Sequence, residues 1–191
     1  MKTPTQPHTF SNKLQDIRQR AREHMKCGAI TSGYAGDLKT SIKILNEALA
    51  TEWVCVLRYQ FHYYAADGID SRSIAQEFLE HSKEETKHAE RIALRIKQLG
   101  GKADFNPATF LSRSHSEYHE GTTLIEMIQE DLIAERIAIE SYQEMIRYFG
   151  DKDPTSRRLM EDILAQEEEH AEELSSLLLA LDPTQRPEVA A

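Results

Sequence analysis

Cysteine is scarce in this chain of 191 residues: only Cys27 and Cys55 occur. Two cysteines build neither a disulfide framework nor a zinc motif, which excludes small stapled folds and zinc-finger classes. Long apolar runs are missing as well. The longest are five residues each, at 53–57 and 177–181, whereas a membrane span needs ~20. The first thirty residues hold no apolar stretch of signal-peptide length, so secretion is not expected and a cytoplasmic protein is. Positive charge is in short supply too. Lys and Arg number 23 against 32 Asp and Glu, a net charge of -9, which argues against a general nucleic-acid binder. The deficit is uneven. Residues 1–26 carry six basic and two acidic side chains, so this segment is +4 and the remaining 165 residues are -13.

What is present is helical pattern. A composition of 29% charged and 40% hydrophobic residues suits a chain that buries a core without disulfides. Three parts are expected: an N-terminal extension (1–36), a main body (37–182) and a flexible tail (183–191). In the extension, residues 1–10 are expected to be disordered. A short helix over about 11–27 follows from Leu14, Ile17, Ala21 and Met25 at helical spacing, with Gly28 as its stop. Four long helices follow, at about 37–66, 71–99, 123–149 and 153–181. Asp37 and Asp153 are candidate N-caps, Pro154 suits a first helical position, and Thr123 with Glu126 has capping-box spacing. Short links around Gly68 and Gly150 make two antiparallel hairpins. About twenty residues (101–121) join them, long enough for a crossover, and Asn106-Pro107 inside it can cap a short helix through Leu111. The expectation is an all-α four-helix bundle with one long crossover and an extra N-terminal helix.

The inward seam of each long helix is apolar at its ends and polar in its middle. The first and third contribute one acid each, Glu52 and Glu135. The second and fourth each contribute Glu-x-x-His, Glu85/His88 and Glu167/His170. Positions i and i+3 share a helix face, so each Glu and His can reach one metal ion. The halves also repeat. Glu52 and Glu135 lie 83 residues apart, His88 and His170 lie 82 apart, and Tyr59 and Tyr142 each follow their glutamate by seven. That pattern implies a pseudo-two-fold axis through the bundle. Four buried carboxylates cannot all stay ionised without cations. Two divalent ions would balance them, and oxygen-rich ligands with one imidazole per metal suit iron or manganese.

LNEALATEWVCVLRYQFHY (45–63), EETKHAER (84–91), EDLIAER (130–136) and QEEEHAEEL (166–174) resemble the motifs of the ferritin superfamily, nearest to bacterioferritin and covering about residues 38–181. The resemblance implies a ferritin-like bundle with two iron ions per subunit. Glu52, His88, Glu135 and His170 would be terminal ligands, Glu85 and Glu167 bridging ones, and Tyr59 the tyrosine beside the site. It implies a ferroxidase that stores or detoxifies iron, oxidises Fe²⁺ with O₂ or H₂O₂, and mineralises it inside a hollow homo-oligomer. Three departures stand out. The haem-ligating Met of bacterioferritins is replaced by Thr86, so haem is not expected. No fifth helix follows residue 181, which favours a twelve-subunit shell over one of 24. A short crossover helix is a feature of Dps proteins, but the cysteine pair of one described Dps-like group is missing.

Two rival readings remain open. One is a di-iron or di-manganese oxygenase acting on an organic substrate, with Tyr59, Phe61, Tyr63 and Tyr64 lining part of a pocket. The other is a Dps-type DNA-protecting protein using the basic N-terminus, although packing of that segment's apolar stripe is the favoured alternative. Tyr59 and Tyr142 are either core tyrosines or, for Tyr59, an electron donor. His81 reads as a core or supporting histidine and Cys55 as a small buried hydrophobe. Glu80 and Glu84 read as mineral-nucleating or surface acids. His115, Glu117, His119 and Glu120 read as a solvated loop.

Overall fold

The structure, a computed structural model, describes residues 13–68 and 71–181. It is all-helical among those residues. α1 spans Leu14–Arg20, α2 Leu38–Ala65, α3 Ser71–Gln98, α4 Phe110–Arg113, α5 Leu124–Phe149 and α6 Pro154–Leu181. No described helix is long and apolar enough to cross a membrane.

Local chemistry sets the ends of the long helices. Asp37 accepts from the Thr40 amide at 2.8 Å and starts α2. Thr123 and Glu126 close a reciprocal capping box on α5. α3 stops in a Schellman turn, in which the Gly100 amide donates to Lys97 O and the Gly101 amide to Ile96 O. Gly100 has φ +71°, which favours glycine, and a Cβ on Gly101 would meet the Ile42 side chain at 2.9 Å.

α2 packs along α3 and α5 along α6, and the two hairpins meet through α2–α5 and α3–α6. The core divides into two apolar blocks. One gathers Leu45, Leu49, Ile92, Ile96, Tyr142, Phe149, Met160 and Ile163. The other gathers Tyr59, Ile74, Phe78, Ile128 and Leu174. The crossover lies over the outside of α2, where the α4 residue Phe110 stacks on Trp53 at 6.4 Å. Asn106 caps the 3₁₀ turn that leads into α4, as expected.

Asp153 ties three elements together. It accepts from the Ser156 amide at 2.9 Å, from Arg95 at 2.7 Å and from the Tyr34 hydroxyl at 2.9 Å. An Asp153→Ala variant should therefore lose about 2–4 kcal/mol, more than a lone cap is worth, because it also strips a part-buried Arg95 of its carboxylate. Thermal unfolding by circular dichroism measures this loss.

The N-terminal segment departs from expectation. The helix ends at Arg20, a separate 3₁₀ turn covers Met25–Cys27, and His24 between them has φ +50°. No residue of α1 is buried, and Leu14, Ile17 and Met25 are exposed. A seven-residue helix whose apolar stripe meets no partner among the described residues has little to offset the cost of nucleation, so it does not run through to Cys27. The start expected at residue 11, the disorder expected over 1–10 and the tail 183–191 lie outside the described residues.

Candidate metal centre

Between the two apolar blocks the seams turn polar. Glu52 comes from α2, Glu85 and His88 from α3, Glu135 from α5, and Glu167 and His170 from α6. Each is at most 2% exposed. Acids are almost never buried this deeply without partners. The candidate ligand atoms form two overlapping groups, Glu52/Glu85/His88/Glu167 and Glu85/Glu135/Glu167/His170. Within each group they lie within 4.8 Å of one another. Glu85 and Glu167 belong to both. His88 Nδ1 sits 3.3 Å from Glu52, 3.1 Å from Glu85 and 3.0 Å from Glu167. His170 Nδ1 sits 3.2 Å from Glu85 and 3.7 Å from Glu167.

The surroundings repeat about the pseudo-two-fold axis. The Tyr59 hydroxyl donates to Glu135 and the Tyr142 hydroxyl to Glu52, so each tyrosine serves the acid of the opposite helix. The residue before each Glu-x-x-His motif reaches across to the other histidine. Gln166 Oε1 lies 2.9 Å from His88 Nε2, and Glu84 Oε2 lies 2.8 Å from His170 Nε2. These partners accept from Nε2, which leaves Nδ1 to face the carboxylates, carrying a proton when no cation is bound and offering its lone pair when one is. The sequence pointed to Tyr59 and Tyr142 but missed the orienting role of Gln166, and it read Glu84 as a surface or mineral-nucleating acid. The signal was the position of both residues directly before Glu-x-x-His.

A second buried network closes one end of the site. Arg58 Nε donates to Asp131 Oδ1 at 2.8 Å and its Nη1 to the Glu117 carbonyl at 2.9 Å. His62 lies 2.7 Å from Asp131 Oδ2 and 2.6 Å from the Glu120 carbonyl. These bonds lock α2, α5 and the crossover together, and Arg58 and His62 went unnoticed in the sequence. The crossover side chains His115, Glu117, His119 and Glu120 are exposed, as expected. Cys55 is buried, and desolvation holds its thiol well above the usual range.

Electrostatics show what the site lacks by itself. Burial, followed by the charges of Glu85 and Glu167, pushes Glu52 well above the usual carboxylate range. Burial and the same two neighbours do so for Glu135. Burial would raise Glu85 too, but hydrogen bonding to His170 and His88 outweighs it and holds Glu85 low. Burial lowers the His170 pKa, yet Glu167 and Glu85 overcome it and push it up to about 12. His88 is raised in the same way by Glu167, Glu52 and Glu85. Protons would thus have to stand in for cations.

Several buried atoms are poorly satisfied: Glu52 Oε2, Glu85 Oε1, Glu167 Oε1 and His170 Nδ1 face an imidazole or carboxylate atom at 3.0–3.3 Å without the geometry of a full hydrogen bond, and Glu135 Oε2 has no partner among the described residues. Poorly satisfied oxygens around one central space, with one imidazole on each side, fit a pair of divalent cations of the iron or manganese type.

Comparison with known proteins agrees with this architecture. The chain matches the ferritin-like domain family over residues 42–182. A dodecameric thioferritin, the bacterioferritin-related protein of Bacteroides fragilis, superposes with a TM-score of 0.75 at 31% identity, covering 79% of this chain and 91% of that one. Bacterioferritin of Desulfovibrio desulfuricans, whose structure contains a diiron site, superposes at 0.66 with 25% identity over 74% of this chain and 79% of its own. A DNA protection during starvation protein of Pyrococcus furiosus is 29% identical over 74% of this chain and 78% of its length. The chain belongs to the ferritin superfamily, as a bacterioferritin- and Dps-like protein.

Proposed function

We propose that the protein is a ferroxidase that stores or detoxifies iron. The observation that carries this reading is the pair of overlapping four-donor groups with poorly satisfied carboxylate oxygens. Glu52 and His88 would hold one ion, Glu135 and His170 the other, and Glu85 and Glu167 would contact both. Iron bound there supplies the redox chemistry, passing electrons to O₂ or H₂O₂. The residues of the chain do the rest. Gln166 and Glu84 fix the imidazoles, Tyr142 and Tyr59 hold the terminal acids in place, and the apolar blocks exclude water from both ends. Carboxylates favour Fe³⁺ over Fe²⁺ because the product carries more charge, which drives the oxidation forward.

Tyr59 is also placed to act as an electron donor, hydrogen-bonded to Glu135. A Tyr59→Phe variant removes the hydrogen bond to Glu135 and any radical route together. It should slow Fe²⁺ oxidation about 10–100-fold, the usual cost of losing an orienting partner. Stopped-flow absorbance measures the rate. Rescue is not expected from an added small-molecule reductant if positioning alone is at stake.

The oxygenase reading loses support because its aromatic cluster does not share a face. Tyr59 is fully buried in the core and Tyr64 is 83% exposed. No haem is assigned. Thr86 stands at the family's Met position and donates to the Ser82 carbonyl at 2.9 Å. The protein purified after growth with haem supplied should show no Soret band at stoichiometric strength.

We read the assembly as a closed homododecamer of cytoplasmic subunits, supported by the dodecameric relative. The exposed stripe of Leu14, Ile17 and Met25 favours packing of the N-terminal segment on a neighbouring subunit over DNA binding. Size-exclusion with light scattering, before and after aerobic Fe²⁺ loading, tests the whole reading. A dodecamer that gains mass as mineral forms supports it, and a monomer or dimer without iron uptake overturns it. Falling apart of a chain lacking residues 1–27 would support the packing role. Normal assembly with loss of DNA binding at low salt would reverse it.

A further inference from the structure

The two halves of the centre match in their central donors but not in what stands behind them. Each half has one terminal glutamate, one histidine and a share of Glu85 and Glu167. Each terminal acid accepts from one tyrosine. Behind the histidines the pseudo-two-fold symmetry fails. At the repeat offset of 82 residues, the counterpart of Glu84 is Gln166. His170 Nε2 therefore meets a carboxylate oxygen at 2.8 Å, and His88 Nε2 an amide oxygen at 2.9 Å.

The wider setting is unequal in the same sense. His81 is buried, stacks on His170 with ring centroids 4.1 Å apart, and reaches Glu173 at 2.9 Å and Glu77 at 3.8 Å. The counterparts of His81, Glu77 and Glu173 in the repeat are Ile163, Leu159 and Arg91. Three acids on the His170 side thus correspond to an amide, an aliphatic side chain and an arginine on the His88 side, the arginine paired with Asp162.

The difference has a direction. An Nε2–H that donates to a carboxylate pushes electron density onto the ring, which makes Nδ1 a stronger donor to a cation than in a ring held by a neutral amide. The Glu84 side chain is 36% exposed, so water supports its charge, while the His170 ring stays in the dry core at 2%. A negative charge on the far side of the ring also attracts a cation on its near side. Gln166 orients its histidine in the same way without supplying that charge.

We propose that Glu84 and Gln166 are positioning residues that rank the two halves of the centre: a divalent cation fills the Glu135/His170 half first and the Glu52/His88 half second. The inference rests on the reading of the six central residues as a dimetal centre and adds an order of filling to it. Loss of an outer partner of a ligating histidine costs ~10–100-fold in metal affinity. An amide in place of a carboxylate keeps the hydrogen bond and loses the charge, so the two halves should differ by about ten-fold.

Zn²⁺ is the probe because it is not oxidised. The assembled protein, stripped by chelator and reloaded with one Zn²⁺ per chain, is crystallised, and anomalous density is compared at the two positions. A ten-fold affinity ratio divides one ion about three to one in favour of His170. Glu84→Gln puts an amide behind both histidines and should bring the two densities close to equal. Combining Glu84→Gln with Gln166→Glu exchanges the partners and should move the preference to His88. The exchange prevails because the partner touches the ligand itself, whereas Glu77 and Glu173 act across His81. A merely structural role for either residue predicts weaker binding, never a reversal. Equal density in the wild type, or a preference for His170 that survives the exchange, would overturn the ranking and leave the two-ion centre standing. Absence of density between the carboxylates at saturating Zn²⁺ would refute the centre itself, and the ranking with it.

Discussion

Glu85→Ala is expected to abolish rapid Fe²⁺ oxidation, slowing it at least ~100-fold, beyond what loss of an outer partner costs. Glu85 belongs to both four-donor groups, so its loss leaves each of them incomplete. Glu52→Ala removes a donor from one group and leaves the other whole, so its effect should be smaller. The bundle should remain folded. Two opposing terms act on the metal-free variant. Removing a buried carboxylate relieves desolvation and repulsion of Glu52, which stabilises. It also takes a partner from His88 and His170, which destabilises. Glu167 still contacts both imidazoles, so the net change should stay within about 1–3 kcal/mol. Stopped-flow kinetics, metal content per chain and thermal unfolding together decide the matter. Wild-type oxidation rates in this variant would refute the assignment of the centre.

Binding of two divalent ions should raise the melting temperature by about 10–20 °C over chelator-treated protein. At a hundred times Kd, each site adds about 2.7 kcal/mol, and a domain of this size gains about 2–4 °C per kcal/mol. The gap should widen as pH rises. In the metal-free protein Glu52 and Glu135 have raised pKa values, so their protonated forms favour folding, and that stability is lost as pH climbs above about 4.5. His170 and His88 are raised as well. Their contribution is complete below about 6.5 and declines as pH rises toward the folded value, about 12 for His170. Glu85 is shifted the other way, but its window lies below 4.5. Metal binding displaces the same protons, so affinity rises with pH while metal-free stability falls. Scanning calorimetry at pH 5.5 and 8 with Zn²⁺ or EDTA checks the sign. A gap that narrows at higher pH would contradict the picture of protons standing in for cations.

The bundle and the convergence of six candidate donors were legible in the sequence because helical periodicity is a local property. A spacing of three or four residues sets which side chains share a face, whatever the helix packs against. Glu52, Glu85, His88, Glu135, Glu167 and His170 were legible as a set because acids at seam positions are costly unless something joins them. The repeat between the halves supplied the symmetry. Caps at Asp37, Thr123 and Asp153 were equally local, each an oxygen within three residues of an orphaned amide.

Contacts between helices were decided only in three dimensions. A glutamate one step off the seam reads the same whether it meets water or a histidine, so Glu84 passed for a surface acid until α6 brought His170 to 2.8 Å. Gln166, and the exchange of Tyr59 and Tyr142 between opposite acids, depend likewise on how each helix is rotated about its axis. Arg58 and His62 became buried partners of Asp131 because the crossover folds back over α2, a path that no spacing rule specifies. The N-terminal stripe shows the same limit from the other side. Its periodicity described a helix over 11–27, but a short helix persists only where another surface covers its apolar face, and among the described residues none does.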